Sequence, residues 1–276
     1  MDGFHSAAMK ANRAEAALRQ ALALEAQWRS GVSLDMAATV EPSAHGFDAV
    51  VRLRNVPPVP HDIVLLLDDF FHHARSALDH VIWQLVIDAG TMPKQQQFPI
   101  LSVNNTKSSK RLHIDTEGLS PAARQIVEVV QPYHAEHGHR YAHLWRLHRL
   151  DVVAKHRSLL PTSSFIGQIR VEMKIEEADV GKYVSHQSPS TQVAETFEHG
   201  FVWRTHNVAE DFQPPDPATW LFPSPPALWI AQADDCEPIA LAELPNVLDH
   251  VRHIVFKLNE TRDAPVVRGA VTTPTR

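Results

Sequence analysis

Two segments of the sequence carry reactive side chains at the spacing of a helix. In the first segment, Arg75 is followed by Ser76 and, after Asp79, by His80. A guanidinium is a permanently charged, planar donor that suits a phosphate, and an imidazole titrates near neutral pH and therefore moves protons. Arg75 and His80 together suit acid–base chemistry on a phosphate group, with Arg75 stabilising the negative charge.

The second segment places His148, Asp151 and Lys155 at positions i, i+3 and i+7, and His156 follows Lys155 directly. Residues at this spacing lie along one side of a helix. Apolar residues flank them on both sides, which is typical of a buried helix whose polar groups must find partners. We therefore expect the two segments to form one cleft, with a catalytic pair and a set of substrate-binding residues. The catalytic pair is Arg75 and His80, and the substrate-binding residues are Ser76, His148, Asp151, Lys155 and His156.

The spacing of Arg75 and His80, an arginine and a histidine separated by four residues, resembles the signature of HEPN domains. The resemblance implies a helical module, a dimer and a metal-independent endoribonuclease, or a catalytically inactive relative of one. It also implies that His80 transfers protons and that Arg75 stabilises the phosphorane formed when the 2′-hydroxyl attacks. In the family the residue after the arginine is often Asn, Asp or His, whereas in this chain it is Ser76. The chain also resembles an uncharacterised group of bacterial proteins that pair an RSALDH helix with an LHxLDxxxKHR helix.

Three other interpretations remain open for the same residues. Arg75 and Asp79 stand at i, i+4 and are able to form an ion pair that needs no substrate. A metal-dependent hydrolase would use the clustered His and Asp side chains, although only His148 with Asp151 has a spacing typical of a helical metal site. A non-catalytic binding or assembly protein would use the polar stripe as an interface. The sequence leaves open whether the chain is an enzyme.

Composition limits the partners and the compartment. The 276 residues carry a net charge of −6, so any RNA would have to bind at a local basic patch. One cysteine, Cys236, is typical of a reducing compartment, and the N-terminal residues lack the apolar core of a signal peptide. No apolar run is long enough to span a bilayer. We expect a cytoplasmic homodimer with no membrane contact, and the absence of a Gly-rich phosphate loop predicts no nucleotide cofactor.

The helices that must position these residues are recognisable by apolar periodicity and by their ends. The central helix is predicted over His61–Ala89, where apolar and polar residues occupy opposite sides except at Leu65, Trp83 and Ile87. These three predict that the polar side is partly covered by another element or by a second copy of the chain. Further helices are predicted over residues 6–29, 120–130, 141–160 and 241–258, the last with Pro245 in its first turn. Residues 101–119 show no periodicity and are predicted to be a loop.

Alternating sequences predict the remaining structure. Residues 33–40 and 47–55 flank a turn-like segment and are typical of a β-hairpin, and strands are predicted over 165–175, 183–186, 196–205 and 227–233. We therefore expect a single α+β domain over residues 1–276, a helical bundle packed with an antiparallel sheet. Its parts would be a helical core at about 61–160, a mainly β segment at about 162–235 and the C-terminal helix.

Overall fold

The computed structural model describes residues 2–31, 35–43, 46–54, 58–156, 162–163, 202–208, 228–230 and 236–262. Six α-helices run through these ranges. They are α1 (Gly3–Ser30), α2 (His61–Asp88), α3 (Thr106–Asp115), α4 (Pro121–Val129), α5 (His143–His156) and α6 (Leu244–Glu260). Short 3-10 turns lie at Pro132–His134, His139–Tyr141 and Leu241–Glu243. The predictions of α1, α2, α4 and α6 are confirmed within a few residues at each end, and that of α5 is confirmed up to His156, since residues 157–160 lie outside the described residues.

Six β-strands have a described backbone. They are β1 (Asp35–Ser43), β2 (Gly46–Arg54), β3 (Thr162–Ser163), β4 (Val202–Val208), β5 (Trp229–Ile230) and β6 (Ile239–Ala240). β2 pairs antiparallel with β1 and with β4, and β5 pairs antiparallel with β3 and with β6. The strands predicted over 165–175 and 183–186 lie outside the described residues.

The predicted fold class is wrong. The residues described in full are mostly helical, at 73%, so an α+β bundle packed with an antiparallel sheet is not what covers the apolar faces. Instead the helices cover one another: α2 packs against α1, α5 and α6, and α6 also packs against α1 and α5. The physical reason is that each of these helices has its own apolar face, so among the described residues the apolar area of α2 is covered mainly by helices. The division into one domain stays a prediction.

The contact between α1 and α2 depends on small residues. Ala7, Ala11, Ala14 and Ala21 are buried on the face of α1 that lies against the bundle. Their small side chains let the two helix axes approach closely. At the start of α1, a Cβ on Gly3 would lie 2.5 Å from the Cβ of Gln84 on α2, so only glycine fits there. The first turn of α1 is therefore held directly against the second half of α2.

The prediction of a loop over residues 101–119 is wrong in its centre. Helix α3 occupies Thr106–Asp115, and the side chain of Asn105 caps it by accepting a hydrogen bond from the backbone N–H of Ser108. The asparagine cap outweighs the weak apolar periodicity of this stretch. Pro245 lies in the first turn of α6, as predicted, and the hydroxyl of Ser120 caps α4.

Candidate functional site

Arg75 is a buried residue whose guanidinium is used inside the molecule. Its side chain is 6% exposed, and its Nη1 donates to Asp79 Oδ1 at 2.6 Å. Its Nη2 donates to the backbone carbonyl of Phe98 at 2.7 Å, while the backbone N–H of Phe98 donates to the same Asp79 oxygen at 2.8 Å. The three residues form a closed ring of charge-assisted hydrogen bonds. The i, i+4 ion pair that the spacing allows is therefore present, and it anchors the backbone at Phe98.

The segment around Phe98 is held from its other side by Gln131. The amide nitrogen of Gln131 donates to the carbonyl of Pro99 at 3.0 Å, and its oxygen accepts from the backbone N–H of Leu101 at 3.0 Å. Phe98 itself is fully buried in the core. The guanidinium of Arg75 and the amide of Gln131 both form hydrogen bonds with the backbone of this segment. The role of Arg75 in the described structure is therefore to position the backbone at Phe98.

Asp115, at the end of α3, lies within the electrostatic influence of this ring. Its carboxylate is buried and accepts a hydrogen bond from Arg111. Burial raises the pKa of Asp115, and Arg111 and Arg75 oppose that rise. The carboxylate of Asp115 on α3 therefore interacts electrostatically with Arg75. Sequence spacing alone does not predict this interaction.

His80 faces the opposite edge of α2, toward α1. Its Nδ1 lies 2.7 Å from the hydroxyl of Ser6, which is within hydrogen-bond reach. Burial, and then the nearby positive charge of Lys10, lower the pKa of His80. A neutral imidazole is therefore favoured at neutral pH, and it accepts the hydroxyl proton or donates one, depending on its tautomer.

An open cleft of about 430 Å³ borders this histidine. It lies between the first turn of α1 and the second half of α2, and its walls include Ser6, His80, Trp83, Gln84 and Gln96. Arg75 does not line it. A ligand in the cleft would therefore contact the imidazole of His80 and the indole of Trp83. It would not contact the guanidinium of Arg75, which phosphate chemistry would need.

Asp151 and Lys155 come together on α5, as their spacing predicts. Lys155 Nζ lies 2.8 Å from Asp151 Oδ2, and His72 Nδ1 on α2 lies 3.8 Å from Asp151 Oδ1. Asp151 is 4% exposed, so its charge needs a partner, which the ammonium group of Lys155 supplies. His72, which the sequence analysis did not select, is the α2 residue that faces this carboxylate.

The other selected residues lie in separate settings. His148 is half-buried, with its ring centroid 5.7 Å from that of Trp145 on the same helix. Ser76 is half-buried on the outward side of α2, and His156 ends α5. No described hydrogen bond or ion pair links Arg75 or His80 to Asp151 or Lys155. The convergence of all these residues on one cleft stays a prediction, and the described contacts distribute them over three places on α2 and α5.

A pair of histidines that sequence reasoning missed lies between α5 and α6. The ring centroids of His143 and His250 are 6.0 Å apart, and Arg146 beside them bridges to Glu243 at 3.2 Å. Burial lowers the pKa of both histidines; the charge of Arg146 adds to this effect at His143, and His143 itself adds to it at His250. The high histidine count was the available signal, but pairing across helices is a property of tertiary packing.

Metal binding finds no support within the described ranges. No group of three or more His, Cys, Asp or Glu side chains there is arranged to hold a metal ion. His72, Asp151 and Lys155 include a cation that would repel a metal, which is consistent with an ion-pair cluster.

The outward side of α2 exposes apolar side chains, and the cover that its interrupted polar pattern predicts stays a prediction. Leu65 is 51% exposed, and Trp83 and Ile87 are each 44% exposed. Asp69 is exposed and Ser76 half-buried on the same side. We call Leu65, Asp69, Ser76, Trp83 and Ile87 the α2 stripe. Trp83 and Ile87 stand at i, i+4 and are adjacent on the helix surface, whereas Leu65 lies eighteen residues before Trp83; a contiguous exposed apolar patch typically marks an interaction surface.

Comparison of the chain with protein-family models, with curated proteins and with solved structures gave no match. The resemblance to HEPN domains therefore stays a prediction. Among the helices that the structure describes, none combines the length and the apolar character needed to cross a bilayer.

Proposed function

We propose that this chain is a binding and assembly protein that forms a homodimer through the α2 stripe, a catalytically silent relative of the HEPN endoribonucleases that it resembles. The observation that carries the proposal is the exposure of Leu65, Trp83 and Ile87 on a helix whose opposite face is buried in the bundle. Covering such a stripe removes apolar area from water, which is the main driving force of association.

The state of Arg75 supports catalytic silence. A phosphate-stabilising arginine must present its N–H groups to the substrate, but in this chain the guanidinium is buried and donates to Asp79 and to the carbonyl of Phe98. Releasing it would leave the Asp79 carboxylate and a buried carbonyl short of donors, at a cost of several kcal/mol. The i, i+4 pair thus competes directly with the catalytic role.

The proposed setting is the cytoplasm. It rests on the single cysteine, Cys236, which is buried in the core, because a chain with one cysteine contains no internal disulfide.

An endoribonuclease remains a second candidate because of one observation at His80. Its Nδ1 is bonded to Ser6, and its ring borders an open cleft, so its other nitrogen is available for proton transfer to a bound nucleotide. Lys10, whose charge lowers the pKa of His80, would supply the cation that Arg75 does not.

The two candidates are separated by incubating the purified chain with mixed RNA in EDTA, beside a His80→Ala variant. We expect no cleavage above that of buffer for either protein, together with a dimeric mass for both. Cleavage that survives chelation and is lost in His80→Ala would contradict catalytic silence and support the ribonuclease. A matched variant, His137→Ala, controls for trace nuclease because His137 is an exposed histidine.

A further inference from the structure

Ser6 is a nucleophilic side chain in hydrogen-bond contact with a base. Its hydroxyl lies 2.7 Å from Nδ1 of His80, and both residues line the open cleft between α1 and α2. A serine hydroxyl is a weak nucleophile until an adjacent base takes its proton, so a hydroxyl and an imidazole within hydrogen-bond reach are the core of many nucleophilic sites. The two residues come from different helices, and their spacing in the sequence does not predict the pair.

We infer that Ser6 and His80 form an acyl-transfer site that hydrolyses esters, with Ser6 as the nucleophile and His80 as the general base. The inference goes beyond the assembly function proposed above and does not depend on it. It concerns a reaction other than RNA cleavage, so it leaves the silence toward RNA argued from Arg75 unchanged. The substrate class is an ester with an apolar acyl group, for reasons that lie in the walls of the cleft.

His80 is able to accept a proton at neutral pH. Burial and the charge of Lys10 lower its pKa, so the neutral imidazole predominates there. The carboxylate of Asp79 has the opposite effect and raises the pKa of His80. No described hydrogen bond joins Asp79 to His80, so the carboxylate acts through its charge, which stabilises the imidazolium formed when Ser6 gives up its proton. Asp79 lines the cleft and is held in place by its hydrogen bond from Arg75.

The cleft supplies the other groups that acyl transfer needs. Its apolar walls, Trp83 and Ile87, suit an apolar acyl group, and its volume of about 430 Å³ accommodates a small ester. Gln96 also lines the cleft. Its amide oxygen accepts from the backbone N–H of Lys94 at 2.6 Å, whereas no described hydrogen bond uses its amide nitrogen. This amide nitrogen is the donor that the cleft offers to the oxyanion formed during attack.

The reaction balances with water as the only co-reactant. The Ser6 oxygen attacks the ester carbonyl carbon while its proton passes to Nδ1 of His80, and the carbonyl π electrons move onto the oxyanion. The oxyanion then collapses, the bond to the alcohol oxygen breaks, and the alcohol leaves with the proton from His80. Finally His80 takes a proton from water, whose oxygen attacks the acylated serine and releases the carboxylic acid as Ser6 regains its proton.

Labelling of the full chain with a fluorophosphonate tests this inference. In the labelling reaction the Ser6 oxygen forms a bond to phosphorus, fluoride leaves, and the proton passes to His80. Intact mass spectrometry should show one label per chain in the wild type and none in Ser6→Ala. The matched control is Ser30→Ala, which removes an exposed hydroxyl at the other end of α1 that donates to the carbonyl of Gln27. This control should keep full labelling.

His80→Gln isolates the contribution of the base. Glutamine keeps a hydrogen-bonding group beside Ser6 but accepts no proton, so labelling should be slower by about 100-fold or more. Circular dichroism should show that the variant keeps the helical content of the wild type. His137→Gln changes an exposed histidine outside the cleft and should label at the wild-type rate.

Trp83 and Ile87 belong to the α2 stripe as well as to the cleft, so labelling is measured both in the wild type and in a Leu65→Asp variant, in which the stripe carries a charge. The expected result is a label on Ser6 in either protein, together with hydrolysis of para-nitrophenyl butyrate that Ser6→Ala loses. Absence of the label from both proteins, an unchanged rate in His80→Gln, or absence of ester hydrolysis would overturn the inference. None of these outcomes bears on the molar mass, so the assembly proposal is tested separately.

Discussion

The guanidinium of Arg75 donates a hydrogen bond to the backbone carbonyl of Phe98 across 2.7 Å, and Phe98 returns a hydrogen bond to the partner of that guanidinium, Asp79. Arg75 is the arginine that the sequence analysis assigned to phosphate chemistry. In the structure it links α2 to the segment that follows this helix. This arrangement makes Arg75 a structural residue, and stability is the property that it should control.

Replacing Arg75 should destabilise the fold. Arg75→Ala leaves the buried Phe98 carbonyl without its donor and leaves Asp79 with only the backbone N–H of Phe98, so the free energy of unfolding should fall by about 2 kcal/mol, the scale for an unsatisfied buried acceptor. Urea denaturation measures this loss. The matched variant Arg19→Ala removes an exposed arginine on α1 and should change the free energy by less than about 0.5 kcal/mol. Equal losses for the two variants would show that the ring of hydrogen bonds contributes nothing.

The free energy of unfolding should fall as the pH is lowered from about 7 toward 5. Burial lowers the pKa of His80, His143 and His250 in the folded chain, so the unfolded chain binds more protons in this range. Stability is therefore fully present above the unfolded pKa and is lost as the pH falls through the folded values. Around His143 and His250, Arg146 and His253 oppose protonation and Glu243 favours it.

His250→Gln isolates the contribution of the pair between α5 and α6. Gln cannot be protonated, so the variant should show a weaker decrease in the free energy of unfolding between pH 7 and pH 5 than the wild type. The exposed His137→Gln should keep the wild-type slope. A slope that His250→Gln leaves unchanged would exclude this histidine as a source of the pH dependence.

Gly3→Ala should separate the first turn of α1 from α2. The new Cβ would lie 2.5 Å from Gln84 Cβ and 2.9 Å from the His80 carbonyl, so the helices must shift, at a cost of about 1 to 3 kcal/mol. Thermal unfolding should show a lower midpoint. Gly31→Ala is the control, because its Cβ would make only ordinary contact at 3.5 Å, and a midpoint that falls equally would refute the packing argument.

The sequence was sufficient to predict the helices that carry the site but not the partners of the side chains. Periodicity placed α2, because it is a local property of one helix, whereas the predicted cover over Leu65, Trp83 and Ile87 stays a prediction. The hydrogen bond from Arg75 to Phe98 joins residues 23 positions apart, and the contact between Ser6 and His80 joins residues 74 positions apart. Such pairs depend on how elements pack, which no local pattern contains.

The error in fold class has a related cause. Alternating residues after Pro161 predicted a sheet that would pack on the helices, but the small Ala7 and Ala11 face of α1 and the apolar face of α6 already cover α2. An amphipathic pattern predicts that one face of a helix is buried, but it does not predict which element covers that face. Helix α3 was missed because its evidence was one capping residue, Asn105, in a polar stretch.

The molar mass of the chain in solution, with and without a charge in the α2 stripe, tests the central claim most directly. Light scattering should give about twice the 30.9 kDa of one chain for the wild type and 30.9 kDa for Leu65→Asp, because the new carboxylate would have to be buried without a partner in the dimer. Met92→Asp, at an exposed apolar residue beyond α2, is the control and should remain dimeric. A monomeric wild type, or a Leu65→Asp variant that keeps the dimeric mass, would contradict the claim that this chain assembles through the α2 stripe.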